Sequence, residues 1–305
     1  MLAATLALLI ALDTNVVRDV TVAPGETLRT TSTGSGQPVV FVTGIFGGAF
    51  GFRNVIGPLS EHGYRCIVIE PLGYGWSSHP SKADYSYAAQ ADRIGGVMDS
   101  LGVVGALVVA QSSGAAIAYR LTYRRPDLVK GLVSIDGGPA ETAGTPGLRR
   151  ALRFGGFLTK LFVGAGTLRS KVRHDLIENS GDTSWVTDSV VREYTAGQAA
   201  DVHGAIDALR KISKSHEPES LRARLHESLV PVRLLFGTAP HPSGIKPEEI
   251  ELLRTELPDF AIDSVQGSGQ YVHEEQPHAV IAAVERMSAP PPVVLEPPVN
   301  AVAAP

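Results

Sequence analysis

The chain of 305 residues has one cysteine, Cys66. No disulfide can form within it, so cysteine content leaves the redox compartment open. Cys66 sits inside the apolar run Arg65-Cys66-Ile67-Val68-Ile69 and reads as a small core residue, not as a nucleophile or a ligand. Metal-ligand spacing is also missing. The nearest grouping, His273 with Glu274, Glu275 and His278, lacks the helical spacing of zinc motifs, so no metal and no cofactor is expected.

An excess of positive charge is absent. Lys and Arg number 27 against 31 Asp and Glu, a net charge of −4, which gives no general attraction to nucleic acid. The local basic run through Arg149, Arg150, Arg153, Lys160, Arg169, Lys171 and Arg173 reads as a solvated face that could also steer anionic ligands. A membrane span is not expected either. The opening apolar run, Leu2 to Leu12, has 11 residues, too few to cross a bilayer comfortably. No Lys or Arg precedes it and Ala11-Leu12-Asp13 is a poor cleavage site, so a signal core, packing against the body and a mis-set start all remain open. The compartment is open with them: cytoplasm, or export or membrane association if the run acts as a signal.

What the chain does have is Leu107-Val108-Val109-Ala110-Gln111-Ser112-Ser113-Gly114-Ala115-Ala116, an apolar strand-like run that passes into a helix through a serine. A serine on a strained turn of this kind needs small residues two positions away on each side, because the backbones there nearly touch. Ala110 and Gly114 supply them. The turn would expose Ser112 Oγ above the carboxyl edge of a sheet, with the Ser113 amide aimed into the same space.

The surrounding order is strand Pro38 to Phe41, loop Thr43-Gly44-Ile45-Phe46-Gly47-Gly48, helix Asn54 to His62, strand Tyr64 to Glu70 and turn Pro71-Leu72-Gly73-Tyr74-Gly75-Trp76-Ser77-Ser78. A helix at Tyr87 to Leu101, the serine strand, a helix at Gly114 to Arg124 and a strand at Lys130 to Ile135 follow. With 44% hydrophobic residues the chain can bury a full core, and the alternation predicts a mostly parallel central sheet flanked by helices. Beyond Asp136 no strong strand is expected until Pro231 to Gly237; the stretches Leu148 to Leu168 and Val190 to Ile212 read as helices. A helix near Pro247 to Leu257, a strand Phe260 to Val265 and a helix Gln276 to Met287 complete the order.

From about Val20 to Met287 this order resembles the α/β-hydrolase fold superfamily. The resemblance implies an α/β fold with an inserted helical cap. With the apolar opening and the Pro-, Val- and Ala-rich end, the expected division is an apolar N-terminal segment (1–17), a core (18–138 and 229–288), a helical cap (139–228) and a disordered Pro-rich tail (289–305). The resemblance makes Ser112 the nucleophile and assigns the oxyanion or substrate contacts to Ile45, Phe46 and Ser113.

The same resemblance exposes a departure. In the loop Gly267-Ser268-Gly269-Gln270-Tyr271-Val272-His273, the position of the family's catalytic histidine holds Gln270, whose amide cannot accept a proton at neutral pH. His273 is a candidate replacement base, against a structural reading that weighs more; His241 is a weaker candidate, placed where many members carry the acid. Asp136, at the end of Lys130 to Ile135, corresponds to an acid position used by branches such as haloalkane dehalogenases, and is equally read as a loop cap. Dehalogenation itself is disfavoured, because it needs a carboxylate where Ser112 stands.

The implied function is a serine hydrolase of a small apolar ester, lactone or related acyl compound with an atypical or impaired triad. The alternatives are a non-catalytic protein that binds a small apolar molecule under the cap, and base-free chemistry in which Gln270 orients substrate or water. Phe154, Phe157, Leu158, Leu161 and Phe162 could wall the pocket or serve only cap packing.

Overall fold

A computed structural model describes residues 15–143 and 164–289. The opening run at Leu2 to Leu12, the part of the expected helix from Leu148 to Val163 with its aromatic stripe, and the tail from 290 lie outside the described residues.

The strands are β1 (Val16–Ala23), β2 (Glu26–Thr33), β3 (Gln37–Val42), β4 (Tyr64–Ile69), β5 (Ala106–Gln111), β6 (Val129–Ile135), β7 (Val232–Gly237) and β8 (Phe260–Val265). They form one sheet in the order β1-β2-β4-β3-β5-β6-β7-β8. β1 and β2 pair antiparallel, as do β2 and β4; every other neighbouring pair is parallel. The helices are α1 (Arg53–Glu61), α2 (Tyr87–Ser100), α3 (Ser113–Arg124), α4 (Ala165–Glu178), α5 (Asp188–Tyr194), α6 (Ala196–Ala200), α7 (Val202–Lys214), α8 (Pro247–Glu256), α9 (Val272–Glu275) and α10 (Pro277–Ser288).

Alternation along the central strands divides the core. Val40, Val42, Val108 and Ala110 face one layer with α2 and α3, whereas Val39, Phe41, Leu107 and Val109 face the other with α1 and α10. Both faces of β5 are therefore buried, which is why it reads as an unbroken apolar run. Local signals mark the helix starts. Ser86 Oγ accepts from the Ala89 amide ahead of α2, and α8 and α10 each open on proline.

Two details differ from expectation. β1 begins at Val16, inside the segment set apart as 1–17, so the core starts before residue 18. Its residues are mostly exposed and include Arg18 and Asp19, so no apolar pattern announces it. The helix expected over Val190 to Ile212 is three helices, broken at Thr195 and Asp201, whose side chain caps α7 through the Gly204 amide. Between β6 and β7 the described residues add helices and no strand.

Chain order reverses between β3 and β5, which are hydrogen-bonded neighbours. The loop after β3 and the turn after β5 thus lie together at the carboxyl edge, where an open parallel sheet forms its crevice.

Candidate functional site

Ser112 follows β5 directly and adopts φ 51°, ψ −121°. Among the described residues only Ser112 and Asp136 are non-glycine residues with positive φ. Such conformations cost about 1–3 kcal/mol each and persist only where surrounding contacts enforce them. The enforcing contacts are close. A Cβ added at Gly114 would stand 2.6 Å from the Val42 carbonyl oxygen and 2.7 Å from that of Thr43. One added at Gly137 would stand 2.7 Å from the Ser112 carbonyl oxygen.

The side-chain partner of Ser112 is Gln270. Gln270 is buried, and its Nε2 donates to Ser112 Oγ at 3.1 Å. The loop bearing it is held by α4, since the Gln270 amide donates to the Asn179 carbonyl oxygen at 2.8 Å. Asn179 Oδ1 in turn accepts from the Ser243 amide at 3.0 Å, tying the loop after β7 to the loop after β8.

Asp136 ends β6, with its amide on the Leu235 carbonyl oxygen. Its carboxylate accepts from the Ile245 amide through Oδ1, at 3.3 Å, and faces His241 Nε2 through Oδ2, at 2.5 Å. No hydrogen bond joins Asp136 to Gln270 or Ser112 among the described residues. His241 Nδ1 lies 2.6 Å from the Ala239 carbonyl oxygen, an acceptor only. With acceptors at both nitrogens, these contacts assign the ring as doubly protonated. The hydrogen bond to Asp136 raises its pKa accordingly, against the opposing effect of burial.

His273 goes elsewhere. It is buried against Phe52, with ring centroids 4.9 Å apart, and makes no hydrogen bond to Ser112 among the described residues. Burial first, and the Arg53 charge second, push its pKa down to about 3. The loop is fixed there by its neighbour. Glu274 receives hydrogen bonds from Arg53, Asn54 and the Tyr194 hydroxyl, all within 3.0 Å.

The Ile45 amide donates to Ser113 Oγ at 3.2 Å, and the Ile45 carbonyl accepts from Gln198 Nε2 at 3.2 Å. Phe46 packs with Phe50, Trp185, Tyr194 and Tyr271 in a cluster joining the inserted helices to the loops after β3 and β8. Below the loop after β3 lies Glu70, which accepts from the Trp76 amide at 2.6 Å and whose carboxyl burial pushes up to about 7. Glu70 and Gln198 are not among the site residues expected from sequence. Glu70 opens the glycine-rich turn that the sequence marks, whereas Gln198 has no local sequence signal. No group of three His, Cys, Asp or Glu suited to a metal ion occurs among the described residues, and none of their helices is long and apolar enough to cross a membrane.

A family profile described as alpha/beta hydrolase fold matches residues 37–213. An sn-1-specific diacylglycerol lipase of Mus musculus is 25% identical over 263 residues, covering 81% of this chain and 79% of its own. Haloalkane dehalogenase 2 of Mycobacterium tuberculosis is 25% identical over 264 residues, covering 82% and 87%. Among solved structures, the epoxide hydrolase CorEH superposes with a TM-score of 0.75 at 18% identity, covering 90% of this chain and 98% of its own.

Proposed function

The chain belongs to the alpha/beta hydrolase fold family, and from that premise we propose that it acts through Ser112 on a small apolar ester, lactone or related acyl compound, slowly, because no general base reaches the serine among the described residues. One observation carries the reading: Gln270 Nε2 donates to Ser112 Oγ at 3.1 Å, where the family's chemistry needs an acceptor. A primary amide orients the hydroxyl without taking its proton. The neighbouring histidines offer no substitute. His241 already bears both protons between Asp136 and Ala239, and His273 is held in the core by Phe52 and the Glu274 network.

What this arrangement retains is the strained serine turn, the Ser113 amide at the start of α3, and the loop bearing Ile45 and Phe46. In a serine protease, loss of the histidine costs about 10⁶ in turnover, while binding and oxyanion donors alone still give about 10³ to 10⁴ over water. Acyl compounds are therefore bound beneath the helices inserted between β6 and β7 and cleaved at that residual level. The same Gln270 contact favours a second reading, retention of an apolar ligand without turnover.

A fluorophosphonate probe separates the two. Slow labelling confined to Ser112, located by mass spectrometry and abolished in Ser112→Ala, supports the hydrolase reading. A folded protein that stays unlabelled over days at millimolar probe supports ligand retention.

A further inference from the structure

Gln198 is a buried polar side chain that plays no part in the chemistry above. It lies on α6, and its bond to the Ile45 carbonyl restrains the Ile45–Phe46 peptide. That peptide is planar, so fixing its carbonyl also fixes the direction of the Phe46 N–H. The preceding peptide is held separately, by the Ile45 amide on Ser113 Oγ. The next residues are Gly47, at φ 143°, and Gly48, which have no side chain to limit their own torsions. Orientation of this loop must come from its contacts.

The short helix that carries Gln198 is itself firmly seated. A Cβ added at Gly197 would stand 2.3 Å from the Gly75 carbonyl carbon and 2.7 Å from the Trp76 nitrogen, so α6 rests directly on the turn bound by Glu70. Tyr194, just before it, borders Gly47 and anchors to Glu274. We propose that Gln198 is a positioning residue through which the inserted helices orient the Phe46 amide toward a bound carbonyl oxygen. The proposal rests on the reading that this amide receives that oxygen. It makes the electrostatics at Ser112 depend on how α6 is seated, so a ligand that shifts α6 alters them without touching Ser112.

Two variants test it. Gln198→Met keeps the side-chain length and removes the donor; Gln198→Glu keeps the shape and regains a donor only when its carboxyl is protonated. Hydrogen exchange by mass spectrometry is read over residues 43–50 of the full chain, without ligand. In Gln198→Met, exchange there is expected to rise about tenfold over wild type, with residues 106–124 unchanged. In Gln198→Glu the rise is expected at pH 8 and shrinks toward wild type at pH 5. Unchanged exchange in both variants, or loss of protection spread equally over 106–124, overturns the proposal.

The functional arm uses a Gln270→His background and p-nitrophenyl acetate. There Gln198→Met is expected to lower kcat about tenfold with KM changed less than about twofold, as for a weakened oxyanion contact. A change in KM alone overturns it. If the Gln270→His background cleaves no ester, the hydrolase reading fails, while the exchange arm still decides the role of Gln198.

Discussion

His241 Nε2 lies 2.5 Å from Asp136 Oδ2, with both side chains almost fully buried. The pairing follows from topology. β6 and β7 are parallel neighbours, so Asp136, just past β6, and the loop that follows β7 meet at the same edge of the sheet. These are the two places where the resemblance allows a triad acid, and here one holds an acid and the other a base. The carboxylate is thereby committed to an imidazolium. Gln270, being uncharged, needs no carboxylate behind it, so the Asp136–His241 pair and the Gln270–Ser112 contact are compatible with each other.

Introducing a histidine at position 270 should therefore be insufficient by itself. Gln270→His is expected to give only weak hydrolysis of p-nitrophenyl acetate, because Asp136 remains paired with His241. Adding His241→Asn frees the carboxylate and should raise kcat/KM by at least about tenfold, toward the large contribution an oriented acid makes in serine proteases. Equal activity in the single and double variants would mean that His241 does not withhold Asp136.

His273 predicts an acid-side loss of stability. Its folded pKa is about 3, lowered by burial and by Arg53, against about 6.5 when unfolded. Between these values the unfolded chain binds the extra proton, so the contribution is complete above pH 6.5 and is lost as pH falls toward 3. The expected slope is about 1.4 kcal/mol per pH unit. His273→Phe, which fills the space beside Phe52 without a titrating group, should flatten the pH dependence of urea unfolding between about pH 6 and 4. An unaltered slope would assign the acid sensitivity to other groups.

The core is legible in the sequence because its signals are local. Near-continuous apolar strands at β3, β5 and β6, a serine between small residues, and glycine-rich turns each follow from contacts within a few residues. β1 and β2 escape such reasoning for a physical cause: they lie at the antiparallel edge, and β2, Glu26-Thr27-Leu28-Arg29-Thr30-Thr31-Ser32-Thr33, buries threonines where an apolar pattern would be expected. The Gln270 contact with Ser112 can be anticipated from position along the chain. That contact also spans a long stretch of chain, but the resemblance places its two positions together; Asp136 with His241, and Gln198 with Ile45, have no such guide and meet through a geometry that only the assembled sheet creates.

The strain at Ser112 is the last testable point. At φ 51°, ψ −121° a side chain crowds its own backbone, and glycine removes that conflict. Ser112→Ala keeps the Cβ and loses only the hydroxyl contact with Gln270, whereas Ser112→Gly loses both. If the turn is held in place by the contacts at Gly114 and Gly137, its geometry stays fixed and Ser112→Gly should be more stable than Ser112→Ala by about 1 kcal/mol in urea unfolding. The entropy that glycine adds to the unfolded chain works the other way, by up to about 1 kcal/mol, so a clear advantage for glycine requires strain larger than that. Equal stability would mean strain no larger than that entropy, and lower stability of Ser112→Gly would mean that the turn carries little strain.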